Sequence, residues 1–544
     1  MKMNQFLSVG FLLLLTAEMT PVTADEIIPT SALILEGLQR QAGEQLPADP
    51  VQMLLARRGR QPLNVKAGDS VVGFDGTDVQ WTTVSLNAEG GLPKEGSRSH
   101  GGYALVTIPS DTERTMILNA AGHLFAYWNG EPRGSDTYGQ GIGHLPVRLK
   151  KGVNELLLRL SWRGKMKIRL YDPPADVYLT GVDMTAPHLL QNVATDTWLG
   201  VMAVNSTGTP LTGLTVTTTG DGLTGTETVV PTIPPMTIRK LGCRIVGAAP
   251  TTLDNVEVQL QLNGTELETT PSHNLQLQVR TKDQAVRQTF VSDIDGSVQY
   301  YAQREADPSS NNDPAPALVL SCHGASVQAM RHAGAYPTKS WLHLVAPTNR
   351  RPFGFDWEDF GRADAMEVLA LAQAKLQHDP SRVYLTGHSM GGHGTWHIGA
   401  TYPDRFAAIG PSAGWVSYKL YRMDKPSDEK ISAIDEILQR GNTASDTIAL
   451  SPNLKHQGVY ILHGADDDNV PPSHSQLMAK TLDEFHHDWH YHEEPGKRHW
   501  WNNEFKDGGA ACLDWPEMYD MFARHVRPPA AAVREVEFVT ANPG

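Results

Sequence analysis

The spacing of apolar residues along the chain changes twice, and the changes divide it into stretches that must fold differently. A mainly apolar run, Phe6 to Ala17, lies between Lys2 and the small-residue triplet Val22-Thr23-Ala24. It is too short to span a bilayer and has the layout of a cleavable export signal over residues 1–24, which puts the mature start near Asp25. Residues 25–64 carry two short helical patterns, "SALILEGLQRQ" and "ADPVQMLLARR", and are expected to form a helical prelude. From residue 65 to 174 the period falls to two. "GGYALVTI", "RTMILNA", "HLFAYW", "LPVRL", "NELLLRL" and "KMKIRLY" are separated by Asn129-Gly130, Lys151-Gly152 and Arg163-Gly164, which predicts an all-β sandwich. Alternation continues over 175–284 in "TWLGVMAVN", "GLTVTTTG", "NVEVQLQLNG" and "LQLQVR", giving a second β sandwich.

After Asp295-Gly296 the pattern changes again. Continuous apolar runs, "PALVLSCHG", "WLHLVAP", "RVYLTG", "FAAIGPSAG" and "GVYILHG", now alternate with helical stretches. In the helix expected from about Asp359 to Gln377, Ala365, Val368, Leu369, Ala372 and Leu376 share one face. Strands apolar on both sides are buried on both sides, so residues 285–530 are expected to form a mostly parallel sheet covered by helices, with a tail at 531–544. The fold class is thus multidomain: two N-terminal all-β sandwiches followed by an α/β domain. No repeat of propeller-blade length occurs in the β regions.

Composition narrows the picture modestly. Apolar and charged fractions of 40% and 19% are those of a globular protein, and three cysteines cannot form a disulfide framework for 544 residues. A net charge of −14 argues against nucleic acid and anionic lipid as partners.

The candidate chemistry lies at the carboxyl ends of the apolar strands. "LTGHSMGGHGTW" places Ser389 between a strand and a helix-compatible segment. Gly387 and Gly391 supply the small residues that a sharp strand-to-helix turn needs. A second copy of the same spacing, Gly410 to Gly414 around Ser412, is followed by the irregular "WVSYKLYRMDKPSDEK", so Ser412 is expected to be a loop residue near the site. The strand "ALVLS" ends in Cys322-His323-Gly324-Ala325-Ser326, where Gly324 lets the backbone turn. The N–H groups of Ala325 and Met390 then form a two-donor oxyanion hole, with His323 supporting the turn. "YILHGADDDNVPP" offers Asp466, Asp467 and Asp468, of which Asp467 is best spaced from Val470-Pro471 to orient a base. Of His486, His487, His490, His492 and His499, the last lies in the loop before the final helix, where a base reaches across to the turn. A metal site from the other four is the competing reading, though no recognisable ligand spacing completes it. No metal or organic cofactor is required.

The order Ser389, Asp467, His499 is that of nucleophile, acid and base in α/β-hydrolases. Through "GHSMGGHGTW", "YPDRFAAIGPSAG", "HGADDDNVP" and "GKRHWW", residues 288–528 resemble the prolyl-oligopeptidase-like (peptidase S9-like) branch of that fold. The resemblance implies a Ser389–His499–Asp467 triad and an acyl-enzyme. Similar elbows occur in feruloyl-esterase-like and polyester-depolymerase-like enzymes. Two β sandwiches stand where true prolyl oligopeptidases carry a propeller, which puts oligopeptide specificity in doubt. Residues 65–174 resemble galactose-binding-like jelly rolls, and 175–284 immunoglobulin- or fibronectin-like sandwiches. The expected activity is that of a secreted or periplasmic serine hydrolase acting on a peptide or an ester, the ester carried on a polysaccharide in one alternative. The competing class is a silent glycan- or protein-binding protein. Phe353, Phe355, Trp357, Trp415, Tyr418, Trp500 and Trp501 are divided between core and an apolar pocket, and residues 415–457 are long enough for a small cap.

Overall fold

The computed structural model describes residues 26–38, 49–59, 61–73, 76–93, 102–136, 138–161, 166–308, 314–350, 356–421, 436–437, 440–441, 443–502 and 510–540. The signal expected at 1–24 lies outside them. No helix among the described residues is long and apolar enough to cross a membrane.

The first β unit packs a four-stranded sheet on a six-stranded one. Val106, Leu118, Leu156 and Ile168 meet between them in a closed core. The strand Gly152–Leu160 is buried along its last seven residues, because the far face of its sheet is covered too. That cover includes the helix Pro50–Arg57, with Val51 and Leu55 against Leu35, Tyr103 and Leu157.

Here the structure corrects the helical prelude. Ser31–Leu35, the start of "SALILEGLQRQ", is a strand inserted between Thr82–Ser85 and Tyr103–Ser110. Ala32 and Ile34 enter the sandwich core, while Leu33 and Leu35 face the helix Pro50–Arg57 and its neighbours. Two buried faces turn a period-two pattern into a continuous apolar run, which at five residues cannot be told from a helical stripe. The prelude is therefore part of the first β unit.

Under the helix Pro50–Arg57 lies a buried polar knot. Asp49 caps the helix by accepting from the Val51 and Gln52 amides at 3.0 and 3.2 Å. It also accepts from the Tyr103 hydroxyl at 2.6 Å and pairs with Arg159. Arg159 in turn donates to the Tyr103 hydroxyl at 3.1 Å. One carboxylate thus serves a helix end and a buried cation.

The second β unit has sheets of Val177–Thr185, Thr195–Asn205, Thr237–Gly247 and Leu223–Thr224, and of Thr226–Val229, Thr215–Gly220, Val256–Asn263 and Ser272–Leu277. Leu199, Val216, Leu241 and Leu260 are buried in its core.

The chain then enters an eight-stranded sheet. In space its order is Val286–Val291, Val298–Arg304, Leu342–Pro347, Ala317–Cys322, Val383–His388, Ala408–Ser412, Gly458–Gly464 and Trp489–Glu494. The first two strands are antiparallel, and from Leu342–Pro347 onward all pairings are parallel. Helices Asp359–Lys375, Met390–Thr401 and Ser473–Asp483 pack on one face. Ala329–Gly334 and Pro516–Arg524 pack on the other. The apolar stripe of Asp359–Lys375 buries Ala365, Val368, Leu369 and Ala372, while Leu376 is the capping residue, in extended backbone. The tail returns to the domain, where the Asn453 side chain brackets the Val539 peptide at 2.8 and 2.7 Å.

Asp49→Ala removes the cap and the carboxylate that pairs with the buried Arg159 guanidinium. The variant is expected to lose about 3–5 kcal/mol of unfolding free energy in urea titration.

Candidate active site

The elbow is set by backbone contact. A Cβ on Gly391 would lie 1.9 Å from the Cys322 carbonyl oxygen, and one on Gly387 would lie 2.4 Å from the Gly391 oxygen. Only glycine lets the strand, the helix and the neighbouring strand end come this close. Between them Ser389 is held at φ 62°, ψ −119°, a conformation that few non-glycine residues adopt. Its amide donates to the Ser412 carbonyl at 2.9 Å. The Ser389 N–H is therefore spent, and its side chain is left at the sheet's carboxyl edge.

His499 meets Ser389 with Nε2 2.9 Å from Oγ, and its Nδ1 lies 2.7 Å from Asp467 Oδ2. In the resting arrangement the serine hydroxyl donates to Nε2, while Nδ1–H donates to the carboxylate. Of the three aspartates, Asp466 and Asp468 are exposed and Asp468 pairs with Arg498, whereas Asp467 is buried. Asp467 Oδ1 accepts from the Asn469 and Val470 amides, both at 2.9 Å, and Oδ2 lies 3.2 Å from His463 Nε2. Burial opposes ionisation of this carboxyl. The bonds from His463, His499 and the Asn469 amide outweigh it and hold the group well below the usual carboxylate range.

The supporting residues fall around this line. A Cβ on Gly324 would be 3.5 Å from the Ser389 Cβ, so the turn after Ala317–Cys322 runs beside the nucleophile and carries Ala325 with it. Met390 opens the helix Met390–Thr401, where an N–H has no partner within the helix. His323 is fully buried. Its Nδ1 and Nε2 face the Gly324 and Thr348 carbonyls at 2.9 and 3.1 Å, and burial lowers its pKa. As a neutral ring it carries one N–H, which donates to one of these two carbonyls.

Ser412 is not a loop residue. It ends the strand Ala408–Ser412, is fully buried, and its hydroxyl donates to the Cys512 carbonyl at 2.6 Å. The apolar run before it simply continues through Pro411 as a parallel strand.

Trp357, Trp415 and Trp501 are core residues, whereas Trp500 is about half exposed beside His388. Phe353 and Phe355 lie outside the described residues. The 415–457 stretch holds short helices at Tyr418–Tyr421 and Thr447–Leu450, and its Ser445 hydroxyl bonds Glu358. His490 and His492 lie on the strand Trp489–Glu494 and pack on Tyr460 and Trp515 respectively. The buried His486 faces the Leu454 and Gln457 carbonyls. Among the described residues no cluster of metal-ligating side chains occurs.

One residue beside the nucleophile escapes sequence reasoning. His388 donates from Nε2 to the His499 carbonyl at 2.7 Å, and the two rings lie 4.8 Å apart. Burial first, and then the neighbouring His499, lower its pKa to about 3. It stays neutral and acts as a strut under the loop that carries His499. Its only trace in the sequence is its place next to Ser389.

Residues 351–515 match the prolyl oligopeptidase family. An uncharacterized secreted protein of Arthroderma benhamiae is 30% identical over 227 residues, which is 38% of this chain and 24% of that protein. Poly(3-hydroxyalkanoate) depolymerase C of Paucimonas lemoignei is 29% identical over 196 residues, 31% of this chain and 45% of the depolymerase. The chain spans less than half the length of either relative. A thermostable esterase of known structure overlaps 63% of this chain and all of its own at 17% identity and a TM-score of 0.32. The matched segment and the relay within it are those of a serine hydrolase.

His388→Ala is expected to lower kcat by about 10–100-fold with little change in KM, because it loosens the loop that positions His499. His388→Gln, which keeps a donor for the His499 carbonyl, recovers part of the loss in the same steady-state assay.

Proposed function

We propose that this chain is an exported serine hydrolase of carboxylic esters, acting through an acyl-enzyme on Ser389. The observation that carries the reading is the unbroken line from Ser389 Oγ through the His499 ring to Asp467. His499 takes the serine proton as Oγ attacks the ester carbonyl, and Asp467 steadies the imidazolium that forms. The Ala325 and Met390 amides receive the oxyanion. His499 then returns the proton to the departing alcohol, and water repeats the sequence to release the acid.

Ester chemistry is favoured over peptide chemistry by what precedes the catalytic domain. Two β sandwiches stand there in place of a propeller that would admit only short peptides. One sequence relative is named for depolymerising a polyester, which puts a chain-borne ester among the candidate substrates. The match to the prolyl oligopeptidase family favours a second reading, cleavage of a peptide amide at the same serine. Export rests on the layout of residues 1–24 and on the relative named as secreted.

Ser389→Ala is expected to lower kcat on an aryl ester by about four to six orders of magnitude, and Asp467→Asn by about four. Ser412→Ala leaves turnover in place and costs about 1–3 kcal/mol of stability through the unpaired Cys512 carbonyl. Retained hydrolysis in Ser389→Ala overturns the assignment.

The scissile bond is decided by kcat/KM on matched aryl, feruloyl and acetyl-sugar esters and proline-containing peptide amides, with Ser389→Ala as the blank. The ester reading requires preference for an unactivated ester. Ser389-dependent amide cleavage at comparable efficiency establishes the peptidase instead.

A further inference from the structure

A cavity of about 530 Å³ lies where the two β units meet the α/β domain, and none of Ser389, Asp467 and His499 lines it. That volume is in the range of small-molecule sites. The first β unit contributes Leu118, His123 and Asp136, the second Asp183 and Lys240, and the α/β domain Asp295, Tyr300, Arg350 and Phe360.

The charges on its wall already have partners. Lys240 Nζ lies 3.2 Å from Asp183 and donates to the Thr185 hydroxyl at 3.2 Å. Arg350 pairs with Asp295 at 2.5 Å, with Asp364 and Glu367 behind it at 3.8 and 3.9 Å. The Asp136 carboxylate accepts from the Gln140 and Gly141 amides at 2.9 and 2.6 Å.

An anion entering here would compete with carboxylates already seated on both cations. A cation would have to displace Lys240 or Arg350 from its partner, or the Gln140 and Gly141 amides from Asp136. A wholly apolar ligand would strip water from two ion pairs and gain no bonds in return. A hydroxyl, which both donates and accepts, adds to paired charges of both signs without separating them.

The rest of the lining suits the other half of such a ligand. Leu118, Ala120, Met202 and Tyr300 give it apolar wall. Phe360 also lines it, yet is 69% exposed, a large apolar ring that nothing in the fold covers. An exposed ring beside compensated polar groups suits a molecule with apolar C–H faces and a hydroxyl rim.

We propose that this cavity binds a neutral glycan segment of about two or three sugar rings. The proposal does not depend on the bond that Ser389 cleaves.

The test is isothermal titration of the full mature chain carrying Ser389→Ala, so that no ligand is consumed, with cellotetraose, xylotetraose and maltotetraose, and with tetragalacturonate as the anionic control. At least one neutral tetrasaccharide is expected to bind at a single site, and tetragalacturonate to bind more weakly. Two further variants place the site. At Gly143, which lines the cavity, an added Cβ meets nothing within 4 Å, so Gly143→Trp fills space and abolishes binding. Phe360→Ala removes only an exposed ring and weakens binding about tenfold. Far-UV circular dichroism and thermal unfolding of Phe360→Ala match those of the parent chain, which shows that the fold is retained. Failure of all three neutral sugars to bind, equal or tighter binding of tetragalacturonate, or undiminished binding in Phe360→Ala overturns the proposal.

Discussion

The catalytic half of this protein is organised around a contact between backbones. The Cys322 carbonyl presses on Gly391 so closely that no side chain fits, and the strand Val383–His388 must turn at once into the helix Met390–Thr401. That turn puts Ser389 at a positive φ, and the bond from its amide to the Ser412 carbonyl holds it there. Strain of this kind costs on the order of 1–3 kcal/mol and persists only where surrounding structure over-determines it. Here the determinants are two parallel strands, one on each side, and a helix buried throughout its first eleven residues. The apolar core thus does more than stabilise the domain. It holds Ser389 where His499, in a loop 110 residues later in the chain, can reach it.

Electrostatics then assign unequal work to groups of the same type. His323, His332, His388, His397 and His474 all have pKa values lowered chiefly by burial, so the site is packed with neutral imidazoles. Amid them Asp467 is held ionised by four donors: two ring N–H groups and two amides. A single fixed anion against the Nδ1 of His499 is what an imidazolium needs while it forms. Neutral neighbours do not compete for that anion.

How much of this was legible depends on whether the cause was local. The strand, turn and helix around Ser389 follow from glycines and apolar periods within fifteen residues, and chain order drew attention to Asp467 and His499. Ser31–Leu35 was misread because a strand buried on both faces loses the alternation that marks strands, and the second cover, the helix Pro50–Arg57, is not visible in the five residues themselves. Ser412 was misread for a related reason. Pro411 and the irregular stretch after it suggested a loop, but the strand's place between Val383–His388 and Gly458–Gly464 carries it on to Ser412. His388 could not be found at all, since its partner is a carbonyl 111 residues away. Long-range backbone bonds leave no mark on composition or period.

The described residues on either side of 351–355 reach both the interdomain cavity and the helix Met390–Thr401. At one end, the Arg350 side chain forms part of the interdomain cavity wall. At the other, the Asp356 amide lies 3.0 Å from the Met390 sulfur, Trp357 Nε1 donates to the His323 carbonyl at 3.0 Å, and Glu358 takes His393 at 2.9 Å and Ser445 from the 415–457 stretch. Phe360, two residues on, returns to the cavity. Arg350 and Phe360 thus line the cavity, while Asp356, Trp357 and Glu358 brace the first turns of the helix Met390–Thr401. A ligand chain held between the β units would lie against a segment that is fastened to the elbow. This gives the two N-terminal sandwiches a physical place in the enzyme: they complete a surface that the α/β domain supplies only in part.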